Sequence, residues 1–437
     1  MQLSTAKRFA FTLIVTAFLP VFLVAALLPA RRTRFVWGST ALIANKYWSA
    51  ALKEAGHDSV TVMTGPFHIN QDGDFDWYFP DFAPRFLPGP LRYAAGACLA
   101  LVWVLRRARV VHTTFWGFAL GFTPYWRLER QLFRLAGIKT IVIPFGMDAN
   151  LSSELIDPSI KYAVLAAYPH MAREEEVIER RVRYWVRHAD VLLTGYIIDG
   201  IGRWDVTTHQ LYVIDTRAWM AKADHTQHDG RNGPVKVLHN PNHRGSKGTE
   251  FVIDAVRRLE EEGLQVELVL AEKVPNQRIR EMMQEVDIQA DQFIYSAYAT
   301  SAIEAMSSGL PVLANLSEEA YTRPFRRWGF LDECPILSTT PETLVDNLRL
   351  LVTRPELRRT LGAAGREFAE KYHSYEMAQF LFGSIYAKIL DGKEVDLLNL
   401  FHPLTSEFNR RRPPVQHPLV ESRLPPEGKN AGAQEAR

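Results

Sequence analysis

Apolar positions are distributed along the chain in two ways. Residues 9–28 form one unbroken uncharged run, whereas from residue 34 onward short apolar runs alternate with stretches whose apolar residues recur every third or fourth position. The second pattern is that of strands alternating with amphipathic helices. It predicts strands at 34–40, 59–63, 109–112, 140–144, 190–194 and 211–215, with helices at 45–55, 91–107 and 173–188 between them. After a polar stretch it resumes with a strand at 235–238 and a helix carrying Phe251, Val252, Ala255, Val256 and Leu259 on one face. A strand at 264–270, a helix at 276–286, a short strand near Phe293, a helix opening after Tyr298 and a strand at 312–314 follow, and further helices run through 355–386. Gly56, Gly263 and Gly309 fall where helices should stop.

Strands that alternate with helices predict parallel sheets, and two such series in 437 residues predict two domains, an α/β class. The expected division is an N-terminal segment at 1–33, a first Rossmann-like domain at 34–215 and a linker at 216–233. A second Rossmann-like domain at 234–375 and a closing helix at 376–400 follow, and a disordered tail at 401–437, rich in proline and charge, ends the chain. The aromatic, proline-punctuated stretch from Trp77 to Pro88 has no regular period. It reads as a packed loop or as a flap that meets a membrane interface.

Parallel sheets bind ligands beyond the carboxyl ends of their strands. After the strand at 235–238 the loop offers Arg244 and Lys247. After the short strand near Phe293, the amides of Ala299, Thr300 and Ser301 open a helix and suit a phosphate, while Glu304 in its first turn can accept from ribose hydroxyls. There is no Walker motif here, and the first domain has no Gly-x-Gly-x-x-Gly, so a nicotinamide or flavin dinucleotide is not indicated.

The segments His239-Asn-Pro-Asn-His-Arg-Gly-Ser-Lys-Gly-Thr249 and Ala302-Ile-Glu-Ala-Met-Ser-Ser-Gly-Leu-Pro-Val312 resemble the donor half of GT-B glycosyltransferases, above all the large retaining family 4. The resemblance implies two Rossmann-like domains facing across a cleft, with Lys247 and Arg244 on the donor diphosphate and Glu304 on the ribose. Where that family carries an earlier glutamate, this chain has Ser296. In the first domain the resemblance makes Gly38 and Ser39 acceptor-side candidates and offers His112 and Asp148 as catalytic candidates. Each has a plainer reading: a turn at Gly38 and Ser39, a hydrogen-bonded core histidine, and an aspartate capping a loop.

Composition narrows the function. A net charge of +2 gives no cationic excess of the kind that nucleic acid demands, and the two cysteines form neither a metal spacing nor a disulfide framework. No metal and no cofactor are expected. The run at 9–28, about 30 Å as a helix, is flanked by Lys7 and Arg8 and by Arg31, Arg32 and Arg34. It reads as a single-pass anchor in the inner (cytoplasmic) membrane, with a cleaved signal peptide as the rival. The domains belong on the cytoplasmic side, where nucleotide sugars are made. The expected function is transfer of a sugar from a nucleoside-diphosphate sugar to an envelope glycan or lipid-linked acceptor. A catalytically silent scaffold that binds a glycan or a partner protein is the alternative, and an epimerase or phosphorylase on the same fold is a third.

Overall fold

The uncharged run at the start folds as one helix, α1 (Thr5–Leu27), in the computed structural model, which describes residues 5–67 and 70–420. The chain then builds a first sheet: β1 (Arg34–Ser39), α2 (Ile43–Glu54), β2 (Ser59–Met63), β3 (Trp77–Tyr78), α3 (Gly89–Arg107), β4 (Ala108–Thr113), α4 (Leu128–Leu135), β5 (Lys139–Val142), α5 (Pro158–Ala167), α6 (Met171–His188) and β6 (Val191–Leu192). All pairs are parallel, in the order β3-β2-β1-β4-β5-β6. β1 sits between β2 and β4, so Val36 faces Val60 on one side and Val111 on the other. A strand covered on both faces is buried throughout, as β2 is from Ser59 to Met63.

The second sheet follows: β7 (Val235–His239), the short α7 (Arg244–Lys247), α8 (Thr249–Glu261), β8 (Val266–Leu270), α9 (Asn276–Glu285), β9 (Ile288–Ala290), α10 (Thr300–Ser307), β10 (Val312–Ala314), α11 (Glu319–Trp328), β11 (Leu337–Ser338), α12 (Leu344–Thr353) and α13 (Pro355–Tyr372). It too is parallel, in the order β11-β10-β9-β7-β8. The order reverses between β1 and β4 in the first sheet and between β7 and β9 in the second. Those reversals open the crevices in which such sheets hold ligands.

α14 (Tyr375–Ile389) returns to the first domain and packs on α2. Phe382 meets Trp37 edge-on at 4.9 Å, Tyr386 lies 4.6 Å from Phe35, and Gln379 donates to the Ala51 carbonyl. The core is therefore continuous from Trp37 and Trp48 to Tyr298 and Phe368. On the far side of the first sheet, α1 packs against α3 and α4.

Four expectations change. Residues 211–215 form no strand, because their backbone partners lie elsewhere: the Leu211 carbonyl accepts from Trp48 Nε1, the Tyr212 carbonyl pairs with His373, and Ile214 N donates to His373 O. The strand expected near Phe293 is β9, which ends at Ala290 and leaves residues 291–299 as a loop. The segment after Trp77 is partly regular, β3 leading into a 3₁₀ turn at Phe79–Phe82. Residues 401–420 are packed rather than disordered: Phe401, Phe408 and Val415 are buried around a short α15 (Glu407–Arg410), and residues 421–437 lie outside the described residues.

Candidate active site

The two loops of the second sheet meet at one carboxylate. Gly248 adopts φ +75° and ends α7 in the left-handed conformation, where a side chain would press on Phe293 at 3.2 Å. That turn points Lys247 inward. Its Nζ lies 2.8 Å from Asp291 Oδ1 and 3.0 Å from Gln292 Oε1, and both members of the ion pair are buried. The other Asp291 oxygen accepts from the Ala299 amide at 3.0 Å, and Ser301 Oγ donates to Oδ1 at 2.5 Å. One aspartate thus holds the lysine, the amide and the hydroxyl that together suit a phosphate.

Glu304, one turn into α10, is buried and accepts from Asn276 Nδ2 at 2.8 Å. Burial pushes its carboxyl up to about 8 against that hydrogen bond, and the charge of Asp291 adds to the rise. Its charge also acts on Tyr47 of α2, whose hydroxyl burial holds well above the ordinary range, so Glu304 faces the first domain. Arg244 points the other way, to the surface, where Glu250 at 2.8 Å and Glu272 at 3.1 Å engage it. Ser296 is buried between Asn315, whose Oδ1 accepts from its hydroxyl, and Glu318, whose amide donates to it. Thr300 begins α10 behind Ala299.

The first domain closes over this loop. α5 packs on α7, and Tyr168 Oη lies 2.6 Å from His243 Nε2. At its own reversal point a small cavity is lined by Gly38, Asn45, Trp48, His112, Thr113 and Tyr212 among others. Gly38 permits the approach: a Cβ there would meet the Val62 carbonyl at 2.3 Å and Phe118 at 2.9 Å. Ser39 is buried, and its carbonyl accepts from the Thr64 amide.

His112 and Asp148 take the plainer readings. His112 stacks on Trp37 at 3.7 Å, Nδ1 reaches the Val36 carbonyl at 3.1 Å, and Nε2 pairs with Tyr386 Oη at 2.8 Å. Burial lowers it to about 3, so it is neutral and leaves no ring nitrogen for an acceptor proton. Asp148 is buried and clamps two loops, accepting from Phe115 N at 3.0 Å and Phe145 N at 2.9 Å. Burial raises it to about 6 in spite of those amides.

The residues missed from sequence are Asp291, Gln292, Asn276 and Tyr47. Asp291 and Gln292 had a signal, a polar pair directly after the short strand β9. Asn276 and Tyr47 had none, since each acts across a gap that only the fold closes. Among the described residues no group of three or more His, Cys, Asp or Glu is arranged to hold a metal ion.

No family model and no curated protein matches the chain. Among solved structures, the sucrose-phosphate synthase of Thermosynechococcus elongatus aligns over 83% of this chain and 100% of its own, at 16% identity and a TM-score of 0.53. A UDP-N-acetylglucosamine 2-epimerase aligns over 84% and 98% at 12% identity and a TM-score of 0.45. WaaG, a glycosyltransferase involved in lipopolysaccharide biosynthesis, aligns over 82% and 100% at 13% identity and a TM-score of 0.41. The chain has the GT-B fold, two Rossmann-like domains facing across a cleft, preceded by an apolar helix. At these identities the likeness is one of fold.

Proposed function

We propose that the chain is a glycosyltransferase that moves a sugar from a nucleoside-diphosphate sugar to an envelope glycan or lipid-linked acceptor. The observation that carries this reading is the convergence of Lys247 Nζ, the Ala299 amide and the Ser301 hydroxyl on one carboxylate at the reversal point of the second sheet. A diphosphate needs that set of donors, and Asp291 stands in for its oxygens while the site is closed.

In this reading the donor displaces Asp291. Lys247 and the first amides of α10 then meet the charge that develops on the departing diphosphate, and no metal is required for that task. Glu304, steadied by Asn276, takes the ribose hydroxyls. The acceptor is given to the first domain, on the side of Gly38 and Ser39 that the family resemblance marks. Retention at the anomeric carbon is carried over from the family resemblance. Neither His112 nor Asp148 is given a proton to move, and Arg244 is kept for capture of the donor at the rim.

The test is a thermal-shift panel of UDP, GDP, ADP and CDP on the full chain and on Lys247→Ala. A ligand that binds the folded state raises its apparent stability. A rise with one nucleotide that vanishes in the variant is the expected result. No response to any of them would end the transferase reading and leave the silent scaffold.

A further inference from the structure

α1 shows apolar chemistry on two opposite faces, and the domain covers only one. Phe11, Val15, Phe22, Ala25 and Ala26 are buried against α3 and α4. Phe11 meets Tyr93 near the start of α3, while Arg106 at its end donates to the Leu28 carbonyl at 2.8 Å. The two helices therefore run side by side in the same direction, and Thr16 Oγ1 also reaches Tyr125 Oη at 3.0 Å. The helix is docked along its whole length.

The outer face carries Phe9, Leu13, Val21, Val24 and Leu27, each about half exposed or more, at the spacing of one helical stripe. No residue from 9 to 30 is charged. Phe86, 85% exposed, and Leu91 add exposed apolar side chains at the start of α3, the end that Phe11 meets. An apolar surface of this length on a protein marks a docking face.

Charge says what docks. Residues 1–33 and 82–107, which supply α1, α3 and the turns at their ends, hold eight Lys and Arg and no Asp or Glu, although the whole chain is nearly neutral at +2. Arg8, Arg31 and Arg85 are exposed around the stripe. A band of apolar side chains rimmed by cations fits the acyl and headgroup zones of an anionic bilayer.

We propose that this face lies in the plane of an anionic lipid surface, with α1 embedded along its length rather than crossing the bilayer. A crossing helix would have to carry its docked face, and α3 with it, through about 30 Å of hydrocarbon. An in-plane helix keeps its protein contacts and immerses only the stripe.

The experiment uses the full chain and sealed vesicles of phosphatidylcholine and phosphatidylglycerol in equal parts. The chain is expected to co-sediment with them, and the exposed-face variant Leu13→Glu/Val24→Glu to bind about tenfold more weakly or worse, with its melting temperature unchanged because neither residue packs in the domain. Orientation is read by a membrane-impermeant maleimide on Lys7→Cys and Arg31→Cys. The native Cys98 and Cys334 are buried and give no background. Equal labelling of both ends from the side of the domains is the expected result. Protection of Lys7→Cys alone would establish a crossing helix, and undiminished binding by the glutamate variant would remove the stripe as the lipid contact. No donor-site residue enters this test, so its failure would leave the transfer chemistry standing.

Discussion

Lys247 and Asp291 form a 2.8 Å ion pair that the fold closes off from water. A buried pair gains little over an apolar pair of the same shape, because each charge loses its hydration, but removing one partner strands the other. Lys247→Met and Asp291→Leu should therefore each cost about 3–5 kcal/mol, and the double variant much less than their sum. Denaturant titration of the three variants measures this. Additive losses would mean that the pair is not coupled.

The same pair sets an expectation for the ligand. Asp291 holds a negative charge against Lys247, the Ala299 amide and the Ser301 hydroxyl, so Asp291→Asn should tighten nucleoside-diphosphate binding about tenfold, or about 1.4 kcal/mol. Calorimetric titration of the nucleotide found in the panel, run well below the variant's melting point, reads it directly. Weaker binding in the variant would show instead that Asp291 positions Lys247 for the donor.

Much of the second sheet is legible in the sequence. β7, α8, β8, α9 and α10 fall close to their expected places, because their periodicity and their closing glycines are local signals. What escaped was nonlocal. Placing a strand near Phe293 hid Asp291 and Gln292 inside it, when they open the loop beyond β9. Arg244 and Lys247 look like a matched pair in the sequence, yet α7 turns one to the surface and the other inward. His112 sits at a strand end facing a cleft, the place for a catalytic histidine, and only the return of α14 shows that Tyr386 has taken its second nitrogen. Phe401, Phe408 and Val415 are too widely spaced to show a period, and their order depends on Phe330, Tyr372 and Phe380, which the rest of the fold supplies.

Tyr386→Phe tests the role given to His112. It removes the hydroxyl that donates to Nε2 and leaves a buried acceptor unpaired, at a cost of about 1–3 kcal/mol. Nucleotide affinity should not change, since the tie joins α14 to β4 and lies outside the donor loops. A variant as stable as the parent would show that the hydroxyl is not what holds the closing helix.

Stability should peak near pH 6.5. Burial lowers His112 and His209 to about 3 and His239 and His373 to about 4, so between those values and 6.5 the unfolded chain binds more protons than the folded one. Stability then rises with pH, by roughly 1.4 kcal/mol per unit for each net proton. Glu304, raised from 4.5 to about 8, and Asp148, raised from 3.8 to about 6, have the opposite sign, because the folded state keeps a proton that the unfolded state has released. Below 6.5 the four histidines outnumber the two acids. Above 6.5 Glu304 alone of these six still titrates in the fold, and stability falls toward pH 8. Glu304→Gln keeps the hydrogen bond to Asn276 without the titration, so it should flatten the alkaline limb and leave the acid limb in place. Urea midpoints from about pH 5 to 9, which bracket the expected maximum, distinguish the outcomes: an alkaline limb unchanged in the variant would mean that Glu304 is already ionised at neutral pH.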